Sequence, residues 1–341
     1  MKQAVLLLDI GGTNTRARLV RATPDLFRDV DVIFEAEQKA TEKPALLDLL
    51  SDITATPGIE VIFAVISIAG PVNNNSASIT NWAGRPVISM QDLGILKLAD
   101  ERIILINDMA AAACCITAYR EGMLELEVTE AFRPAACSVA SRNAILLIPG
   151  TGVGLGAVVA PAIASQAVSP LHISCEVQHT LIPPITGEFA ELVQAMQDRL
   201  GRTALTWEDL ISGRGLENLY VCAANSNTAH PAVDAATIAR QAVAGTDAAS
   251  ITALSCFYYF CGALAQVMAL SFQPFAGIYL GGTTTRQNLS FILQSGFVNA
   301  CQDNYIRQEL LQSFPVYLVP EYMNLNGAMY IAQQSIQASR A

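Results

Sequence analysis

LLLDIGGTNTR, residues 6–16, is the stretch on which the fold turns. Leu6, Leu7 and Leu8 continue the apolar pair Ala4-Val5 without polar alternation, the pattern of a strand buried on both faces of a sheet. The run stops at Asp9. Gly11 and Gly12 then allow backbone N–H groups to approach an anion closely, and Thr13, Asn14 and Thr15 add small donors around the turn. The segment reads as a strand that ends in a carboxylate and opens into a phosphate cradle. A carboxylate beside phosphates is repulsive unless a cation lies between them, so Asp9 suits hydrated magnesium. A tight hairpin with a capping or buried Asp fits the same residues, and one short glycine motif does not separate the two.

The same plan recurs. NAILLIPGTGVGLGAVVA, residues 143–160, is again strand, glycine turn, strand, matching residues 4–20 and suggesting an internal duplication. FAGIYLGGTTTR, residues 275–286, is a third strand-to-glycine turn. Around these lie an antiparallel start (strands at 15–20 and 30–34), a helix at 42–52, and a buried strand at 61–72 with a hairpin tip at Asn73, Asn74 and Asn75. RIILIND, residues 102–108, is another strand, whose end delivers Asn107 and Asp108 to an Ala-rich helix starting at Met109. A loop around ISCEVQHT leads to a helix from Glu188 to Leu200; Thr206 caps the next helix and Gly213 ends it. A strand at 315–320 and a closing helix at 327–338 complete the pattern. Alternating buried strands and helices predict an α/β sheet protein with strand-end side chains facing a ligand crevice.

At 341 residues the chain exceeds what one core usually serves, which predicts two domains with a cleft between them. Its 52% hydrophobic and 15% charged residues favour a large core over disorder. A net charge of -10, with 20 basic residues scattered along the chain, excludes a nucleic-acid surface. Eight cysteines without a C-x-x-C pair suggest neither zinc nor a disulfide framework, and their apolar surroundings fit a reducing compartment. The N-terminal apolar run stops at Asp9 with no cleavage-like segment, so the expected location is the cytoplasm. Residues 251–272 are apolar enough for a membrane helix, but they carry Ser, Thr and Gln and lack a basic flank. They read as a helix buried in a large domain, with no membrane partner.

Three strand-ending glycine turns, with Asp9 and Asp108, describe a nucleotide clamp with a spare carboxylate. From the residues alone this reaches an ATP-dependent enzyme or ATPase of the duplicated-hairpin kind. DIGGTNTR at 9–16, IAGPV at 68–72, TNWA at 80–83, IND at 106–108, PGTGVGLG at 149–156, Glu176 with His179, LISGRGLENLY at 210–220 and LGGT at 280–283 stand in the order seen in bacterial glucokinases. Over nearly its whole length the chain resembles that family, in the branch lacking the zinc-binding cysteine cluster of the repressor-related sugar kinases.

The resemblance implies a two-domain actin-like ATPase fold, duplicated and ribonuclease H-like, with an active-site cleft between domains. It implies a small domain at 1–106 completed by the C-terminal helix 323–341, and a large one at 107–322. It implies ATP-dependent phosphorylation of glucose at the 6-hydroxyl, with ATP and Mg2+ required and Asp108 as the general base. Asn107, Glu176, His179 and Glu208 would bind other sugar hydroxyls. Asp9, Gly11, Gly12, Thr13 and Asn14 would meet the magnesium and terminal phosphates, with Asp9 reaching the metal through water. Gly150, Thr151, Gly152 and Gly154 would meet the phosphates from the other side, and Gly281, Gly282 and Thr283 the adenosine. A homodimer is implied as well. Phosphoryl transfer depends on positioning and charge stabilisation, with an Asp to accept the hydroxyl proton, which agrees with this assignment.

Each residue also has an ordinary structural explanation. Asp108 or Asn107 fits a helix cap, Glu208 a helix N-terminus, and Glu176 and His179 a solvated surface. The chain departs from the family in the sugar loop, where relatives carry glycine and Cys175, Val177 and Gln178 stand here, and the segment around Trp82 is shortened. Val177 resists positive φ, so the loop must run differently. The departure leaves open a kinase of another hexose, including an N-acetylated one, or a sugar- and ATP-binding sensor without turnover.

Overall fold

The computed structural model describes residues 1–39, 42–73, 75–135, 142–161, 169–225 and 233–338. Position 74 of the expected hairpin tip lies outside them. The chain packs as two units. One comprises Met1–Glu125, His172–Ser174 and Tyr322–Ala341; the other comprises Leu126–Leu171 and Cys175–Glu321. The helix Asp108–Arg120 thus belongs with the first sheet, whereas a boundary near Asn107 would have assigned it to the second unit.

In the first unit, strands β1 (Lys2–Ile10), β2 (Thr15–Arg21), β3 (Val32–Gln38) and β4 (Ile59–Ile68) precede a small antiparallel sheet of β5 (Val72–Asn73), β6 (Ser76–Ser78) and β7 (Val87–Ser89). After β8 (Ile103–Asn107), the main sheet has the order β3-β2-β1-β4-β8. The β1-β2 and β2-β3 pairs are antiparallel; β1-β4 and β4-β8 are parallel. The unalternated apolar run of β1 is explained by its two covered faces. Leu6, Leu8 and Ile10 pack with Leu46, Leu50 and Ile53 of the helix Lys43–Thr54 on one side. Val5 and Leu7 pack with Leu325, Ala328 and Met329 of the helix Asn324–Ala338 on the other. Each such buried aliphatic side chain contributes about 1.5–3 kcal/mol.

The second unit repeats this plan. Its sheet is formed by β9 (Thr129–Phe132), β10 (Ala144–Pro149), β11 (Val153–Val159), β12 (Leu171–Cys175), β13 (Ile278–Gly281) and β14 (Val316–Val319), in the order β12-β11-β10-β13-β14-β9, although His172–Ser174 of β12 group with the first unit. With β9 set aside, β12-β11-β10-β13-β14 reproduces the order of the first sheet, and β10-β11 is the counterpart of the β1-β2 hairpin. The expected loop at ISCEVQHT therefore begins as a strand, because the duplicated meander needs a third member. The other revision is at Gly213, which opens the helix Gly213–Ala223 after a Ser212 cap instead of closing the preceding one.

The uncharged segment forms the helix Ala248–Phe272, with Leu254, Phe257, Phe260, Leu264 and Met268 in the second core. It is long and apolar enough to cross a membrane, and most of its most apolar window is buried inside the protein.

Candidate active site

The β1-β2 hairpin closes between Ile10 and Thr15, with Gly11 N–H donating to the Asn14 carbonyl at 2.9 Å. Trp82 donates its indole N–H to the Gly11 carbonyl at 3.2 Å. A Cβ on Gly12 would stand 2.9 Å from the Asn81 side chain, so glycine is required there by close approach. Asn14 directs its amide to Glu37 at 2.9 Å and is thus tied to β3.

Asp9 lies at the end of β1, paired in register with Arg16 on β2 and Ser67 on β4. The residue is buried, at 3% exposed. One oxygen accepts from Ser67 Oγ at 3.2 Å and Asn324 Nδ2 at 2.9 Å; the other lies 3.8 Å from Arg16. Burial raises the carboxyl above its ordinary value, and Asn324, Arg16 and Ser67 oppose that shift. Arg16 is itself held by Glu37 at 2.8 Å and by the Tyr322 hydroxyl at 2.7 Å, and it stacks on the Tyr322 ring. Among the described residues no group of three His, Cys, Asp or Glu side chains is arranged to bind a metal. This donor set suits a hydrated cation carried in by its own phosphates better than one caged by protein.

At the end of β8, Asn107 caps the helix Asp108–Arg120. Its Oδ1 accepts from Met109 N–H at 2.8 Å and Ala110 N–H at 3.3 Å, while its Nδ2 donates to the Gly70 carbonyl at 3.0 Å. Asp108 is the first helical residue, with Oδ1 accepting from Met109 N–H at 2.9 Å. The ordinary cap thus falls on Asn107, and Asn107 is fixed by the Gly70 turn.

In the second unit, Gly150 N–H donates to the Gly152 carbonyl and Gly213 N–H to the Gly150 carbonyl, both at 2.8 Å. LISGRG therefore buttresses PGTG. Glu208, in the first turn of the helix Trp207–Ile211, lies against this hairpin and accepts from Val153 N–H at 3.4 Å. The helix starts from a Thr206-Asp209 capping box. A backbone bridge between Leu181 and Thr206 brings the Glu176–His179 turn beside it. There His179 Nε2 stands 3.3 Å from Glu176 Oε2. Gly281 ends β13, and Gly282 and Thr283 begin the helix Thr283–Gln287, with the Gly282 N–H on the Val319 carbonyl at 3.1 Å.

Ser67 and Asn324 have no place in the sequence reading, Gly70 enters it only within IAGPV, and Gln178 only as a departure from the family in the sugar loop. Ser67 and Asn324 carry no local signal because their partner Asp9 is distant in sequence, and the role of Gln178 depends on a turn the sequence does not announce.

The glucokinase of Sinorhizobium medicae is 29% identical over 319 residues, covering 92% of this chain and 87% of that protein. Among solved structures, a Balamuthia mandrillaris glucokinase in complex with glucose aligns with a TM-score of 0.82 at 21% identity, over 97% of this chain and 94% of that one. A ROK family glucokinase from Streptomyces griseus, in complex with glucose and AMPPNP, aligns with a TM-score of 0.64 at 18% identity, over 97% and 99%. These likenesses carry the fold, which is the actin-like ATPase fold its repeated sheet order describes. The family model for glucokinase matches residues 6–335, a span holding both glycine hairpins, Asp108 and Glu208, and the chain belongs to the glucokinase family.

Proposed function

We propose that this sugar kinase transfers the terminal phosphoryl group of ATP to the 6-hydroxyl of glucose, with Asp108 as general base. The observation that carries this reading is the division of roles at the end of β8. Asn107 supplies the helix cap, and Asp108 follows it as a carboxylate in the first turn, with one oxygen on the Met109 N–H. Asn107 spends its carbonyl on the helix and one amide hydrogen on Gly70, and keeps a second amide hydrogen for a sugar hydroxyl. Asp108 accepts the 6-hydroxyl proton as that oxygen attacks the terminal phosphorus, and the bond to the departing ADP oxygen breaks.

Glu176, His179 and Glu208 bind the remaining hydroxyls. The turns at Gly11, Gly12, Thr13 and Asn14 and at Gly150, Thr151, Gly152 and Gly154 hold phosphates, and Gly281, Gly282 and Thr283 meet the adenosine. Magnesium, when bound with the nucleotide, screens phosphate charge, with Asp9 holding it through water. Relatives in complex with glucose and AMPPNP support this choice of ligands.

A coupled ATP assay with glucose tests the reading. Asp108→Asn is expected to lower turnover at least about a hundredfold while glucose still binds by calorimetry. Near-normal turnover in the variant overturns the assignment. A second reading, a hexose other than glucose, including an N-acetylated one, is favoured by the Val177–His179 turn in the sugar loop. The same assay across hexoses decides it, by which sugar gives the highest kcat/KM. Binding of sugar and ATP without product would instead indicate a sensor.

A further inference from the structure

After β12 ends at Cys175, the chain makes a single 3-10 turn at Val177–His179, closed by His179 N–H on the Glu176 carbonyl at 3.1 Å and Thr180 N–H on the Val177 carbonyl at 2.9 Å. Three residues per turn send the three side chains in three directions. Val177 packs against the second core, His179 is exposed, and Gln178 points inward and is 4% exposed. Gln178 Nε2 donates to Glu176 Oε2 at 2.6 Å, the same oxygen that His179 Nε2 approaches at 3.3 Å. Gln178 Oε1 is buried, and the described residues offer it no hydrogen-bond partner.

Two features make this more than a local contact. Glu176 has a solvent-exposed side chain with three rotatable bonds, which without a tether would sample many orientations. Its tether comes from a group buried on the turn's inner side, which has little freedom itself. The arrangement leaves a buried amide oxygen without a donor, a cost to stability that is kept where the group serves another end. A leucine or methionine would fill the same space without that cost, but neither has a donor to offer Glu176.

We propose that Gln178 is a positioning residue for the sugar: its buried amide commits one oxygen of Glu176 and presents the other, pre-oriented, to a substrate hydroxyl pair. The proposal rests on the assignment of Glu176 to sugar binding under the proposed function. Pre-orientation lowers the ordering cost of binding and leaves the phosphoryl-transfer step alone.

The test compares wild type with Gln178→Leu and Gln178→Met in the coupled assay with D-glucose, alongside thermal melts. Both variants are expected to raise KM for glucose about tenfold, equivalent to about 1.4 kcal/mol. KM for ATP should stay unchanged, kcat should remain within about threefold, and the melting temperature should hold or rise. In a Glu176→Ala background, Gln178→Leu should add no further rise in KM, because the tethered group is gone.

Unchanged KM for glucose in stable variants overturns the inference and leaves the proposed function standing. An equal further rise in the Glu176→Ala background overturns it too. Loss of fold in both variants assigns Gln178 a structural role instead. If wild type phosphorylates no sugar in the panel, the proposed function falls, and this inference with it.

Discussion

Burial and hydrogen bonding pull the Asp9 carboxyl in opposite directions, and burial is the larger effect. Its raised folded-state value means that the native protein takes up a proton more readily there than the unfolded chain. The ionised form, which dominates as pH rises, therefore detracts from stability. A group retained under that penalty is better explained by chemistry than by folding. Asp9→Asn keeps an acceptor for Ser67 and Asn324, and Arg16 retains Glu37. The variant should melt at or above the wild-type temperature while sugar phosphorylation falls at least about tenfold, read by calorimetry beside the coupled assay. A melting temperature well below wild type would make Asp9 a structural residue. At this scale the sequence displayed the carboxylate but not its setting. Ser67 and Asn324 stand 58 and 315 residues away, and pairings at such separations leave no periodic trace.

Among the elements, the helix Asn324–Ala338 supports the helix that carries Asp108. A Cβ on Gly327 would lie 1.7 Å from the Ala111 carbonyl oxygen, so the two helices touch backbone to backbone one turn beyond Asp108. Ala111 is fully buried, and Gly327 is buried too, so neither can move aside. Gly327→Ala forces the helices apart and should cost about 1–3 kcal/mol of stability, as overpacking does. Displacement of Asp108 should lower kcat more than it raises KM for ATP. Denaturant unfolding and steady-state kinetics on the same preparation check both parts; an unaffected kcat would separate the crossing from the catalytic helix. The closing helix was visible in the sequence at 327–338. Its crossing point was hidden, because a glycine within a helix announces close approach without naming the surface approached.

At the scale of the molecule, the duplicated glycine hairpins at 4–20 and 143–160 made the architecture legible, since the repeat of a buried strand pair survives as a repeat of apolar runs. The strand β12 and the grouping of the helix Asp108–Arg120 with the first sheet were not legible. An edge strand with alternating burial looks like a loop, and packing decides which sheet claims an Ala-rich helix buried from Met109 to Ala118. His172, on that unforeseen strand, provides a measurable consequence for the whole fold. It lies against Thr117 Oγ1 at 2.8 Å and meets the ring of Tyr330, whose hydroxyl donates to Glu121. Burial lowers its value from 6.5 to about 4. Between those values the unfolded chain binds a proton that the folded protein refuses. Stability present above pH 6.5 is therefore lost as pH falls toward 4, at up to about 1.4 kcal/mol per pH unit. His172→Gln keeps a polar partner for Thr117 and cannot titrate in this range. Melting temperatures of the two proteins should run parallel above pH 7 and diverge below 6.5, with the wild type falling faster. Parallel curves down to pH 4 would show that His172 is charged in the folded protein and that its burial does not govern acid stability.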